Sequence, residues 1–165
     1  MRMNIKMFSP QFYVRQLAAE DAASAAALCG KNSLFYQHHP PMASAESLLE
    51  DMAALPPGKK REDKYFVGYY DGGELIALLD LIADYPEEGT AYIGFFMLAA
   101  ERQGHGLGSR MVRELLDALR GAGFRKARLG TDIGNPQSNA FWEKNGFRRV
   151  GQTECYLVRE RDLGT

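Results

Sequence analysis

The sequence predicts an α/β fold of the α+β sandwich type, in which a mixed, mostly antiparallel sheet is flanked by helices. Three observations support this prediction. Two helical patterns occur early in the chain, three strand patterns joined by short turns occupy its middle, and a strand-helix-strand unit follows a long amphipathic helix. The short turns indicate an antiparallel meander, and the final unit makes the sheet mixed.

The first third of the chain contains one strand pattern and two helical patterns. Residues 12–17 alternate as a half-buried strand does, and the alanine-rich residues 20–28 favour a helix. Residues 32–41 hold aromatics, two histidines and two prolines, which predict a loop or short helical turns. A second helix is predicted over residues 44–55, with Ser44 as its N-cap.

The middle of the chain changes to the period of strands. Residues 64–70 and 74–83 are predicted to form a hairpin around the turn at residues 71–73, and residues 91–98 form the third strand of the meander. Gly94 interrupts this third strand. A glycine there indicates a β-bulge or a close approach to another backbone.

The remaining elements begin with the most strongly amphipathic segment. One apolar stripe runs along residues 107–119 and predicts a helix that ends at Gly121. Residues 126–131 are predicted to be a strand, residues 139–144 a helix, and residues 147–159 one or two final strands.

Length, charge and cysteine content narrow the class of protein. With 165 residues, 45% of them hydrophobic, we expect a single domain over residues 1–165. The net charge of -1 gives no general reason to expect nucleic acid or an anionic membrane as a partner. The apolar stretches are far shorter than the roughly 20 residues that cross a bilayer, and no signal-peptide pattern is present, so a cytoplasmic location is expected. Two cysteines indicate neither a disulfide framework nor a metal site, and edge strands are compatible with a homodimer without specifying one.

The long helix opens with Gly104, Gly106 and Gly108 within five positions. Each glycine costs a helix about 1 kcal/mol, so their presence calls for a reason. The first amides of a helix lack an intrahelical acceptor and lie at the positive end of its dipole. Without Cβ atoms, a large anion can approach these amides closely, which predicts a phosphate-binding loop. A flexible connector is the simpler alternative.

Two other phosphate motifs do not fit this loop. A dinucleotide-binding fingerprint has glycine where Ser109 stands, and it follows an early parallel strand rather than a meander. A P-loop requires Gly-Lys-Ser or Gly-Lys-Thr, which the segment lacks. Both nucleotide-binding classes are therefore disfavoured.

Two segments of the second half resemble the GNAT superfamily of acyl-CoA N-acyltransferases. Residues 103–108, Gln-Gly-His-Gly-Leu-Gly, match the family signature Gln/Arg-x-x-Gly-x-Gly/Ala between a strand and a helix. Residues 135–147, NPQSNAFWEKNGF, are similar to the family's asparagine-led helix that ends in a Gly-Phe pair. The resemblance implies a GNAT-like fold, N-acetyltransferase activity and acetyl-CoA as cosubstrate, with no metal.

The resemblance also implies where acetyl-CoA binds. The pyrophosphate would contact main-chain amides of residues 103–109, and the pantetheine arm would lie like a short strand against residues 96–98, between two strands that splay apart. Asn135 would reach the arm through its amide, with Phe141 or Trp142 beside it; core packing for Phe141 and an N-cap or turn role for Asn135 remain alternatives. The implied binding residues are Phe96, Met97, Leu98, Gln103, Gly104, His105, Gly106, Leu107, Gly108, Ser109, Asn135, Phe141 and Trp142.

Acyl transfer to an amine requires an uncharged nucleophile and a donor to the developing oxyanion. An alkylammonium with a pKa near 10.4 is charged at neutral pH, so a carboxylate usually assists its deprotonation. Asp80 interrupts the apolar residues 75–82, and such a charge must face a polar cavity or find a partner. It is the candidate general base or ammonium anchor, with Tyr85 near it along the strand. A purely structural ion pair with an arginine, or exposure to solvent, is the alternative.

The sequence departs from the family pattern at Trp142, where many members carry a tyrosine that assists the leaving thiolate. An indole N–H can donate a hydrogen bond but is not a useful proton source. The resemblance implies that His38 and His39 can line the acceptor pocket, because that region often does so in the family; surface histidines without a role are the alternative. Asp132 is a further, weaker candidate carboxylate near the expected cleft. By residue type, the remaining candidates for the acid are Tyr85, Tyr92, Tyr156 and Cys155.

Two functions are therefore predicted. The first is transfer of an acetyl group from acetyl-CoA to a primary amine of a small molecule or peptide, directly within a ternary complex. The second is a CoA-binding regulatory or sensory module with impaired catalysis. Trp142 and the lack of a carboxylate in residues 91–98 are the reasons to consider the second.

Overall fold

The sheet is mixed and has seven strands in the computed structural model, which describes residues 3–164. Its spatial order is β1-β2-β3-β4-β5-β7-β6. The β4–β5 pair is parallel and the other neighbours are antiparallel, which confirms the predicted sheet. The strands are β1 (Tyr13–Gln16), β2 (Lys64–Asp71), β3 (Glu74–Ala83), β4 (Thr90–Leu98), β5 (Lys126–Asp132), β6 (Arg148–Gln152) and β7 (Tyr156–Asp162).

The helices lie close to their predicted positions, with one boundary corrected. The last of them begins at Pro136 rather than at residue 139, because the Asn135 side chain accepts a hydrogen bond from Ser138 N at 3.1 Å and caps it. The predicted loop at residues 32–41 contains a short helix. The helices are α1 (Ala22–Gly30), α2 (Ser33–His38), α3 (Ala45–Ala53), α4 (Leu107–Gly121) and α5 (Pro136–Lys144).

Each face of the sheet buries its own apolar cluster. The stripe on α4 packs with α5 against one face, where Leu115, Leu119 and Trp142 join Leu79 and Leu129. The short helices α1 to α3 cover the other face. Their buried side chains Leu28, Tyr36 and Leu48 pack there against Phe66 and Leu78.

The parallel strands β4 and β5 separate after only four paired positions. Their pairing runs from Thr90 opposite Lys126 to Ile93 opposite Leu129, although both strands continue. Gly94 follows at once and is the extra residue of a β-bulge, since Asp80 pairs with Phe95 and Leu81 pairs with Ile93. A bulge bends the strand that contains it, so β4 and β5 diverge and leave a wedge-shaped gap. The predicted bulge at Gly94 is confirmed.

Candidate active site

The gap between β4 and β5 opens into a cavity of about 690 Å³. The last residues of both strands form its floor, the glycine loop and the first turn of α4 close one end, and α5 forms a side wall. Phe35, His39 and Tyr156 also line the cavity. The C-terminal half of the chain and the segment around α2 therefore meet at one cavity.

The glycine loop adopts the backbone conformation that its composition predicts. Gly104 and Gly106 have φ angles of +87° and +81°, in the left-handed region that favours glycine. Gly106 is the N-cap of α4 and accepts the first helical bond, from Arg110 N at 3.1 Å. The amides of residues 107–109 precede that bond and have no intrahelical acceptor. They are available to an anion at the cavity.

Gly108 has a different role, because it allows close packing between elements. A Cβ atom there would lie 3.2 Å from Phe141 Cε1 and 3.6 Å from Leu98 Cδ2. The next residue, Ser109, is buried, and its hydroxyl accepts a hydrogen bond from Asn145 Nδ2 at 3.1 Å. The start of α4 is thus held tightly against the end of α5.

Gln103 anchors the loop to the end of β4. Its Nε2 donates to Leu98 O at 2.8 Å and to Asn32 Oδ1 at 2.6 Å. Gln103 lines the cavity, whereas the side chains of His105 and Leu107 do not, among the residues the structure describes. His105 is exposed and Leu107 packs against the core.

The main chain at the end of β4 directs polar groups away from β3, and one of them, Leu98 O, is already bonded to Gln103. Ala99 N donates to Ile76 O of β3 at 2.7 Å. Because alternate residues of an antiparallel strand bond to the same side, the N–H and C=O groups of Phe96 and Leu98 face away from β3. They point into the gap, whereas those of Met97 face β3. All three of these predicted residues line the cavity.

Three aromatic rings make one wall of the cavity. Phe96 stacks on Phe141 with a centroid separation of 6.5 Å, and Trp142 meets Phe141 edge to face at 5.0 Å. Trp142 is only 8% exposed and also contacts Phe147. Asn135, the cap of α5, is buried and lines the same cavity. Asn135 caps a helix and Phe141 packs against the core, as the structural alternatives predict. Both residues also line the cavity.

Asp80 lies behind the cavity wall and is paired with a lysine. Lys64 Nζ is 3.2 Å from Oδ1 and donates to Oδ2 at 3.3 Å, and it also donates to Ala54 O at 2.8 Å. Burial raises the pKa of the Asp80 carboxyl, and the charge of Lys64 opposes this shift. Among the described residues that line the cavity, Gly94 comes close to it: a Cβ on Gly94 would be 3.1 Å from Asp80 Oδ2. The predicted need for a partner is met by Lys64.

Tyr85 also lies outside the cavity lining of the described chain. Its ring packs edge to face against Tyr92 at 5.4 Å. Tyr92 and Tyr156 do line the cavity, and burial raises the pKa of Tyr92. A Cβ on Gly130 would lie 3.7 Å from Tyr92 Oη and 3.6 Å from Tyr156 Cβ, so this glycine leaves space between the two tyrosines.

His39 and Asp132 meet at the wall of the cavity. His39 Nδ1 is 3.1 Å from each carboxylate oxygen of Asp132, the last residue of β5. The His39 ring lies against Phe35, with centroids 5.4 Å apart. Both members of the pair line the cavity, whereas the exposed His38 does not, among residues 3–164.

The sequence model of the Acetyltransferase (GNAT) family matches residues 32–147 of the chain. The chain belongs to this family. The predicted family, the mixed-sheet fold and the enzyme class are thereby confirmed. No curated protein sequence matches this GNAT acetyltransferase.

Solved structures share the fold of this GNAT acetyltransferase. An acetyltransferase from Thermus thermophilus aligns with a TM-score of 0.75 at 22% identity, over 92% of this chain and 97% of that one. The PaiA N-acetyltransferase from Thermoplasma acidophilum, solved in complex with coenzyme A, aligns with a TM-score of 0.71 at 18% identity, over 92% and 98%. The ribosomal-protein-S18-alanine N-acetyltransferase from Escherichia coli aligns with a TM-score of 0.66 at 15% identity, over 93% and 95%.

Two kinds of feature are absent from the described part of the acetyltransferase. Within residues 3–164, no group of three or more His, Cys, Asp and Glu side chains is arranged to hold a metal ion. No helix in that part of the chain combines the length and the apolar character needed to cross a bilayer.

The His39–Asp132 pair is the feature of the acetyltransferase that sequence reasoning missed. The sequence indicates each residue separately, but the two are 93 positions apart. The carboxyl end of β5 and the end of α2 lie next to each other in the fold, which brings the two residues together. No local sequence pattern encodes that contact. The sequence does indicate Asp132 by itself, as a carboxylate near the expected cleft, so only its pairing with His39 escapes prediction.

Proposed function

We propose that this acetyltransferase transfers the acetyl group of acetyl-CoA to a primary amine of a small molecule or peptide, directly within a ternary complex. One observation carries the proposal: a single cavity joins free amides at a helix N-terminus, main-chain groups of a strand that face away from the neighbouring strand, and a histidine–carboxylate pair. Coenzyme A bound to PaiA, a protein of the same fold, supports this choice of cosubstrate.

The lining of the cavity matches the chemical parts of acetyl-CoA. A diphosphate accepts hydrogen bonds from the amides of residues 107–109, where the helix dipole favours a negative charge. An amide-containing arm can pair with the N–H and C=O groups of Phe96 and with the N–H group of Leu98, whereas Leu98 O is bonded to Gln103 Nε2. An arm that enters at the loop and follows β4 leads toward Gly94, so the thioester would meet an acceptor in the aromatic end of the cavity.

The reaction does not require a proton donor at position 142. The amine nitrogen attacks the thioester carbonyl, the C–N bond forms, and the C–S bond breaks with its electron pair on sulfur. A free main-chain amide of β4 can stabilise the oxyanion. A thiol with a pKa near 8.5 is a good leaving group, so Trp142 in place of a tyrosine is compatible with turnover.

The carrier site is tested by replacing a loop glycine and a matched glycine elsewhere. Gly106 and Gly58 both have φ of +81°, and both have open space where a side chain would be. Valine imposes the same backbone strain at each, so we expect Gly106→Val to weaken CoA binding at least tenfold in isothermal titration calorimetry and Gly58→Val to leave it unchanged. Native protein that does not bind CoA would overturn the proposal.

The transfer itself is tested with a panel of benzylamine, 2-phenylethylamine, tyramine, spermidine and short peptides with a free N-terminus or a lysine. Release of the CoA thiol, followed with a thiol reagent, is the expected result for at least one amine. Tight CoA binding without turnover of any member would instead favour the regulatory module.

A further inference from the structure

We infer that His39 is the general base of the transfer and that Asp132 is its positioning residue; this inference rests on the proposed function. The two side chains come from different layers of the fold. His39 follows α2 and Asp132 ends β5, and both side chains line the cavity, so two layers of the fold meet there in one pair.

The geometry of the pair fixes the role of each ring nitrogen. An ionised carboxylate only accepts hydrogen bonds, so the His39 Nδ1 that lies 3.1 Å from both oxygens of Asp132 carries the proton. In the neutral ring, Nε2 is then an acceptor with a free lone pair. This is the state that a base for an ammonium group requires.

The solvent exposure of the two side chains agrees with these roles. The His39 side chain is 44% exposed, whereas the Asp132 side chain is 16% exposed. The histidine is thus accessible to a molecule in the cavity, and the carboxylate is sheltered behind it. The ring of Phe35 supports the imidazole on a further side, which limits its rotation.

The groups around His39 suit a ring that gains a positive charge. Asp132 faces it from β5, and Asp51 of α3 lies within electrostatic range. Tyr92 of β4 and Tyr156 of β7 line the same cavity, and His38 is the neighbour along the chain. Carboxylates of two elements, β5 and α3, therefore lie near the ring that accepts the proton.

The proposed step balances in atoms and charge. The ammonium of the acceptor gives one proton to His39 Nε2, and the neutral amine attacks the thioester carbonyl. When the C–S bond breaks, the nitrogen loses its second proton. Of the two protons, one ends on the CoA thiolate and the other passes through His39 to solvent.

The position of His39 is better for this step than that of Asp80. Lys64 holds the carboxylate of Asp80 behind Gly94, whereas His39 is in the cavity. The surrounding rings of Phe35, Phe95 and Tyr156 also favour a primary amine on an aromatic or aliphatic stem.

The decisive test compares His39→Gln with His38→Gln at saturating acetyl-CoA, using the amine of the panel that turns over fastest. We expect kcat to fall about 100-fold for His39→Gln and to stay within twofold of native for His38→Gln. Calorimetric CoA affinity should be unchanged in both. Native turnover with an unaffected His39→Gln variant overturns the inference alone, whereas lack of native turnover overturns the proposed function as well.

Chemical rescue separates a base from a structural residue. Added imidazole should restore part of the turnover of His39→Ala, because it can occupy the vacated space and accept the proton. Asp132→Asn should lower kcat at least tenfold with little change in the KM for acetyl-CoA, and imidazole should not restore it. Failure of imidazole to raise the rate of a folded His39→Ala variant, verified by its melting curve, would contradict the role as base.

Discussion

At the scale of single residues, the Asp80–Lys64 pair illustrates what a sequence reveals about a buried charge. A carboxylate inside an apolar strand predicts a partner, but not which one. The β2–β3 hairpin sets Phe66 opposite Asp80 and thereby brings Lys64, two residues before Phe66, onto the same face. A one-residue change of register would have removed this contact, so the partner depends on pairing that residue types alone do not encode.

Removal of the positive charge of Lys64 should destabilise the fold. Lys64→Met leaves the Asp80 charge without its ion pair, and we expect a loss of about 3 kcal/mol in the free energy of unfolding, measured by urea denaturation. The double variant Lys64→Met/Asp80→Leu should recover most of that loss. A double variant as unstable as the single one would show that the pair is not the cause.

The loss of stability caused by Lys64→Met should depend on pH in a defined direction. Burial raises the pKa of Asp80 in the folded state above its value in the unfolded chain, so the charged form costs stability as pH rises through the interval between the two values. Without Lys64 this interval widens. Lys64→Met should therefore be closest to the native protein in stability at mildly acidic pH and furthest from it at alkaline pH, which chemical denaturation across pH can measure.

At the scale of elements, side-chain caps mark the starts of α3 and α5. Ser44 is the predicted cap of α3, and its hydroxyl accepts from Ser47 N at 3.0 Å. The predicted start of α5 is too late, although Asn135 before Pro136 is a strong signal of a helix start. Strands and helices are predictable here because their patterns are local, whereas the β4–β5 gap arises from the length of a pairing between distant segments.

Asn135 offers a way to separate capping from binding. Asn135→Ser retains an oxygen for Ser138 N and should keep most of the stability, whereas Asn135→Ala should lose about 1 kcal/mol in thermal unfolding. Both variants lack the side-chain amide N–H groups. We expect both to bind CoA about tenfold more weakly, because the family resemblance implies that the amide reaches the arm. Native affinity in Asn135→Ser would leave Asn135 with a capping role alone.

At the scale of the whole molecule, the cavity lies where the two covering layers meet. Helices α4 and α5 cover one face of the sheet, α1 to α3 cover the other, and the gap in the sheet connects them. The sequence predicts the family, the order of elements and the carrier loop, since these depend on contiguous motifs. It does not predict the contact between His39 and Asp132, because that contact depends on packing between the layers.

A ligand that joins both halves of the molecule should stabilise the whole fold. At a CoA concentration 100 times its Kd, the native state gains about 2.7 kcal/mol. For a chain of this size, that corresponds to a rise in Tm of roughly 5–10 °C, measured by differential scanning fluorimetry. Gly106→Val should show a much smaller rise at the same concentration, and an equal rise would contradict the role of the loop amides.

The short segment around α2 has a consequence for how such an enzyme diversifies. It contributes Phe35 and His39, whereas the loop and strand proposed to hold the carrier lie more than fifty positions later. Substitutions at Phe35 and His39 can alter which amines are accepted while the proposed binding site for the common donor stays intact. A new acceptor specificity can therefore arise through single substitutions, without an intermediate variant that no longer binds the acetyl donor.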